Sequence, residues 1–191
     1  MADIQVGKRF FDAANWATEL HQGASGTRTP SVAQVLGVAS LVLGDGGTTR
    51  EAIAGMLVDA GAARLDPGAL RARVGKKAAR LIEASADALA DPARLDDETD
   101  PVVLRICAAV TLREVQELVR DLRRHGSVAF ARFDDPPAAV LDRDRTLVET
   151  FRRRLGRASV LTAELRVALA ELDRDAELET AVAAWRVAHA A

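Results

Sequence analysis

A chain of 191 residues is long enough for one domain with a sizeable core. Its formal net charge of −2 supplies no global basic field, so nucleic acid is not an expected partner. The single cysteine, Cys107, excludes an internal disulfide, the first residues lack the pattern of a secretory leader, and no apolar run reaches the roughly 20 residues of a membrane span, which leads us to expect a cytoplasmic protein with no membrane partner.

Nearly half of the residues are apolar, few are aromatic, and Ala, Leu, Val and Arg dominate, a mix that favours helix. Residues 8–22 carry apolar side chains at three- and four-residue steps (Phe11, Ala14, Leu20) and read as a first helix, ended by Gly23, Ser25 and Gly26. Thr29-Pro30 opens a second, over 31–43, that is apolar on nearly every side and is therefore expected at the centre of the core. Gly44-Asp45-Gly46-Gly47 is a turn; it lacks the ending of a phosphate loop, and its glycines serve the backbone. Thr48 with Glu51 fits a capping box for a helix over 50–60. Asp66-Pro67 starts a short helix to about 74, Gly75 separates it from another over 76–86, and the acidic stretch 87–99, which contains Pro92, reads as a loop.

Asp100-Pro101 opens a long helix over about 102–124, interrupted on its apolar side by Arg105 and closed by His125-Gly126. A helical turn follows over 127–133. Asp134-Asp135-Pro136-Pro137 is the strongest break in the chain, and three more helices are expected beyond it, over 138–155, 159–172 and 175–190. No period-two pattern suggests a strand. The expectation is all-α: a helical bundle with a core over about 8–135 and C-terminal helices, 136–191, packed on it as one domain.

Two segments resemble a known family. The first runs from Phe10 to Ala63, with a helix ending Ala17-x-x-x-His21-x-Gly23, then Pro30, Gln34-x-x-x-Val38-Ala39, a Gly-rich turn, and a helix ending in Val58-Asp59. The last of these helices reads Ala52-x-x-x-Met56-Leu57-Val58-Asp59 against the family's Ala-x-x-x-Leu-Leu-His-Asp. The second runs from Ile106 to Arg132 and contains Ala108-Ala109-Val110-Thr111-Leu112-Arg113-Glu114 and the turn at His125-Gly126. Both look like the HD-type phosphohydrolases of the RelA/SpoT kind. The resemblance implies an all-α bundle, a divalent metal such as manganese bound by two His and two Asp, and removal of the 3′-pyrophosphate from guanosine tetra- or pentaphosphate, (p)ppGpp.

Carried over residue by residue, the resemblance puts the first metal His at Gln34, the HD pair at Val58-Asp59 and the last metal Asp at Val110. The two acidic residues that handle the water fall at Ala62 and Ala63. Of four expected donors only Asp59 remains a good one. Donors must converge at about 2.0–2.3 Å to hold such an ion, and a hydroxide nucleophile or a general base is then lacking as well. The leading expectation is a metal-free, degenerate HD domain without catalytic residues or cofactor, which binds a nucleotide or other small ligand, or a protein partner. His21, Arg28, Asp59 and Arg113 are its candidate contacts. A rival reading is an active, manganese-dependent phosphohydrolase that combines Asp59 with Asp97, Glu98 or Asp100. A third is a structural module dimerising through Leu161, Leu165, Val167, Leu169, Leu172, Leu178, Val182 and Trp185.

Each of these residues also has a plainer reading. Asp59 pairs with an arginine or caps a helix, since an unpaired buried carboxylate is costly. His21 satisfies the last carbonyls of its helix as readily as it contacts a ligand. Lys76, Lys77 and Arg80, like Arg152-Arg153-Arg154, read as solvated helix faces, and Cys107 as an inert buried thiol.

Overall fold

The computed structural model describes residues 7–24, 32–156 and 158–189. Among them are nine α-helices and no strand: α1 (Lys8–Ala24), α2 (Val32–Gly44), α3 (Thr49–Asp59), α4 (Pro67–Val74), α5 (Lys76–Ala90), α6 (Pro92–Asp97), α7 (Pro101–His125), α8 (Pro137–Leu155) and α9 (Val160–Ala188). Short 3₁₀ turns occupy Ala62–Arg64 and Gly126–Arg132. The all-α architecture is thus as expected. No described helix is long and apolar enough to cross a membrane.

One local device starts three of the helices. An Asp accepts a backbone N–H of the first turn and the following Pro occupies a position whose own N–H would have no partner. Asp66 caps at Ala69 (2.9 Å), Asp91 at Ala93 (3.0 Å) and Asp100 at Val102 (2.9 Å). The second of these overturns the loop expected over 87–99: α5 continues to Ala90 and Asp91-Pro92 starts α6. In α3, Thr48 accepts the Glu51 N–H (3.3 Å), as the capping pattern predicts, and the Thr48 hydroxyl donates to the Glu51 carboxylate (3.0 Å).

The central element is α7. Fifteen of its 25 residues are buried, from Val103 to Leu122, and α2, α3, α5, α8 and α9 all pack on it. The expectation that α2 lies at the centre is therefore corrected. Val38, Ala39 and Val42 are buried, but Leu36, Leu41 and Leu43 are only half-buried and Ser40 is exposed. It packs on α3 and α7, and on α1 to a lesser extent, rather than lying enclosed.

A second correction concerns the C-terminus, where one 29-residue helix replaces the two expected. The charged run Asp173-Arg174-Asp175 does not break it because two of the three are tied to other helices. Arg145 of α8 donates to Asp173 (2.7 Å) and Arg123 of α7 to Asp175 (2.6 Å). Leu161, Leu165 and Leu172 of α9 are fully buried against the rest of the chain.

The Gly-rich turn does more than reverse the chain. Asp45 Oδ1 accepts from Ser159 Oγ (2.9 Å) and the Val160 N–H (2.8 Å) at the start of α9, while Oδ2 accepts from Arg105 of α7 (3.2 Å). Arg105 also donates to Glu51 (2.7 Å). The arginine that interrupts the apolar side of α7 is therefore the hub of a largely buried network joining four helices. The Arg152–Arg154 cluster is likewise more than a solvated face. Arg152 pairs with Glu149, Arg153 with Asp96 (2.6 Å), and Arg154 donates to the carbonyls of Asp96 and Glu98, which straps α6 to α8. Lys76, Lys77 and Arg80 are exposed.

Candidate functional site

At the C-terminal end of α3 a cleft of about 750 Å³ opens between α3, α5, α7 and α8. Val58, Asp59 and Val110, three of the positions picked out from the sequence, line it together. Helix α3 ends there because Gly61 takes a left-handed conformation (φ 74°), its N–H bonding to the Val58 carbonyl (2.9 Å). Arg64 then folds over Gly61, its guanidinium occupying the space a Cβ would need. Ala62 is fully buried beneath this turn and contributes nothing to the cleft. Ala63 lies in the same 3₁₀ turn and Gln34 in α2, but their side chains, with that of His21 and all of Arg28, fall outside the described residues.

Arg113 lies one turn beyond Val110 on α7, behind the residues that line the cleft. It is buried, and its Nε and Cδ lie 2.7 and 2.8 Å from the place a Cβ on Gly37 would take. The absence of a side chain at Gly37 thus makes the channel through which the guanidinium crosses α2. Burial lowers the Arg113 pKa, with Arg120 adding to the effect, whereas Glu117 and Asp59 act to keep it charged. An arginine stays protonated through such perturbations. A full positive charge therefore stands in the field of Asp59.

The opposite wall comes from α7, α8 and the 3₁₀ turn between them. Arg143 donates to Glu114 and to Asp144 (both 3.3 Å), and Arg132 donates to Asp121 (3.2 Å). Both guanidinium groups lie over the Phe133 ring, at 4.9 Å for Arg132 and 5.8 Å for Arg143. Asp144 is buried, and burial pushes its carboxyl up to about 6 against the opposing pull of Arg143. Arg64, Arg132 and Arg143 line the cleft together with Asp59, Glu114 and Glu117, and of the six Arg64 is exposed and makes no ion pair among the described residues.

The donor set does not suit a divalent ion held by two imidazoles and two carboxylates. Val58 and Val110 offer no side-chain lone pairs, and Arg113, which Asp59 helps to keep charged, adds a positive charge nearby. Among the described residues no three His, Cys, Asp or Glu side chains are grouped so as to hold a metal. The acidic residues of the shifted-metal reading lie elsewhere. Asp100 caps α7, Glu98 accepts the N–H groups of Thr99 and Asp100 (both 2.7 Å), and neither they nor Asp97 line the cleft. Ten residues of α7, about 15 Å, separate Asp100 from Val110. Cys107 is buried, donates weakly to the Ser85 carbonyl (3.5 Å), and has its pKa raised by burial to about 12, so it is chemically silent.

A second cleft, of about 660 Å³, lies at the other end of α3 between α1, α4 and α5. Arg73 covers the Trp16 ring there (4.5 Å) and bonds to Glu19, and the positions singled out from the sequence are not among its lining residues.

An all-α bundle with a cleft at the junction of the α3 C-terminus and the middle of α7 is the architecture that the two motif segments imply. Residues 13–174 match the model of the HD domain, and the chain belongs to the HD-domain family. The match runs through α8 and well into α9, past the Pro136-Pro137 break. No curated protein matches the chain.

Reading the sequence alone missed Arg64, Glu117, Arg132, Arg143 and Asp144, all on or beside the cleft. Arg64 and Arg132 lie in the turns that follow α3 and α7, Glu117 lies within α7, and only tertiary folding brings Arg143 and Asp144 of α8 to the site. Family spacing made Val58, Asp59 and Val110 legible, with Arg113 beside them where the family pattern carries a histidine.

Proposed function

We propose that this HD domain holds a phosphorylated ligand in the cleft beside Asp59 without cleaving it. The observation that carries the reading is that Val58 and Val110, which offer no side-chain donors, line the cleft with Asp59 while three guanidinium groups, of Arg64, Arg132 and Arg143, line it as well. Cations fixed to the chain supply positive charge there, and they can neither acidify a water nor leave with a product. Arg64, uncommitted within the described residues, and the guanidinium groups of Arg132 and Arg143 are the groups suited to phosphate oxygens. A guanosine tetraphosphate-like nucleotide is the ligand class that the family resemblance suggests.

The test is calorimetric titration with guanosine tetraphosphate, run with a chelator and again with manganese, alongside analysis of products. The reading expects binding that is independent of manganese, weakened by Arg64→Ala, and no released pyrophosphate. Manganese-dependent turnover by the unmodified protein would overturn it.

A further inference from the structure

The outer face of α9 carries four large apolar side chains that the fold leaves in solvent. Val160, Val167, Leu178 and Trp185 are 51, 58, 62 and 61 % exposed. At about 100° per residue they fall within roughly 20° of one another, a single stripe about 38 Å long. The leucines expected from the sequence to share in such a seam do not belong to it. Leu161, Leu165 and Leu172 point into the chain's own core, Leu169 packs against that core, and Val182 is half-buried.

The spacing of the stripe is symmetric about its centre. Val160 and Trp185 are equidistant from the point between Leu172 and Asp173, and so are Val167 and Leu178. On the face of the stripe, the charged residues nearest the centre are equidistant from it and opposite in sign, Glu171 on one side and Arg174 on the other; Asp173 points away to Arg145. Arg174 is exposed and makes no ion pair among the described residues. Glu171 gives Oε2 to Arg123 of its own chain (3.0 Å), which leaves Oε1. Exposed alanines at 163, 170 and 181 flank the stripe and permit close approach.

A second copy of the same helix, laid antiparallel across a two-fold axis at that centre, places Val160 against Trp185, Val167 against Leu178, and Glu171 against Arg174 of the second copy, all twice. A parallel arrangement would instead set like charges side by side. Self-complementarity of this kind is what a closed isologous contact requires. We infer that α9 is the dimerisation surface of this protein and that its occupant is a second copy of the chain, in antiparallel register. This inference does not depend on what the cleft binds.

Light scattering on the full chain should give twice the monomer mass, and Val167→Glu should return it to the monomer with a dissociation constant raised about ten-fold or more. Because Val167 is exposed, helicity and thermal midpoint should be those of the parent measured as monomer, which separates dissociation from misfolding. Register is read with cysteines, since Cys107 is buried and silent. The double variant Val167→Cys/Leu178→Cys should oxidise to a covalent dimer, while Val167→Cys alone should not, its two copies lying about 16 Å apart along the axis. A monomeric parent, a dimer indifferent to Val167→Glu, an assembly larger than two, or ready cross-linking by Val167→Cys alone would each sink the proposal.

Discussion

Asp45 and Ser159 lie 114 residues apart, and the carboxylate of the first accepts the hydroxyl of the second at 2.9 Å. The same oxygen takes the Val160 N–H, so a turn near the start of the chain caps its last helix. Removing one cap costs about 1 kcal/mol, and a buried charge-assisted bond about 1.5–3 kcal/mol. Asp45→Ala is expected to lose about 2–4 kcal/mol in urea denaturation and to raise hydrogen exchange first at 160–163. A loss confined below about 0.5 kcal/mol would mean that Arg105 and Ser159 do not depend on it.

Gly37 and Arg113 should behave as a coupled pair. In an ordinary helix, replacing Gly by Ala gains up to about 1 kcal/mol. Here the added carbon meets the buried arginine, and overpacking of this kind costs about 1–3 kcal/mol. Gly37→Ala is therefore expected to destabilise the parent yet to be neutral or stabilising in an Arg113→Ala background. A double-mutant cycle measures the sign reversal; additive effects would remove Arg113 from its place over α2.

Rebuilding the metal set provides a third test. Gln34→His, Val58→His and Val110→Asp restore the donors the family pattern expects around Asp59. With Arg113 retained, manganese affinity should stay weak, because a fixed cation opposes a divalent one. Adding Arg113→His should improve it at least about ten-fold, read by calorimetry or by metal content after purification without chelator. Equal affinity with and without Arg113 would show that its charge does not reach the site.

The buried carboxyl of Asp144 gives a pH dependence whose sign can be worked out. Its folded value is about 6 and its ordinary value 3.8, so between those limits the folded chain binds more protons than the unfolded one. Stability from this group therefore rises as pH falls, by about 1 kcal/mol between pH 7 and pH 5. Asp144→Asn should remove that slope, and urea midpoints at the two pH values, compared with the parent, measure it. A variant with the parent's slope would place the titration on another group.

How much of this was legible beforehand depended on whether a signal was local. Helix starts at Asp66-Pro67 and Asp100-Pro101 are complete in two residues and were readable. Asp91-Pro92 carries the same device, but the acidic residues around it outweighed the cap and suggested a loop. At 173–175 the charges read as a break because their partners, Arg145 and Arg123, lie on other helices. The cleft was half legible. Family spacing located Val58, Asp59 and Val110 on α3 and α7, whereas Arg64, Arg132 and Arg143 reach it by routes that no short-range pattern encodes.

The arginine threaded past Gly37 adds a positive charge near Asp59 that is present as soon as the polypeptide folds. A dissociable ion can be stripped by chelators, exchanged for a competing metal or lost when supply falls; a guanidinium on a covalent tether cannot. On the proposed reading, an occupant of this cavity would meet the same charge under metal starvation as under metal excess, and its occupancy would follow the concentration of the ligand alone.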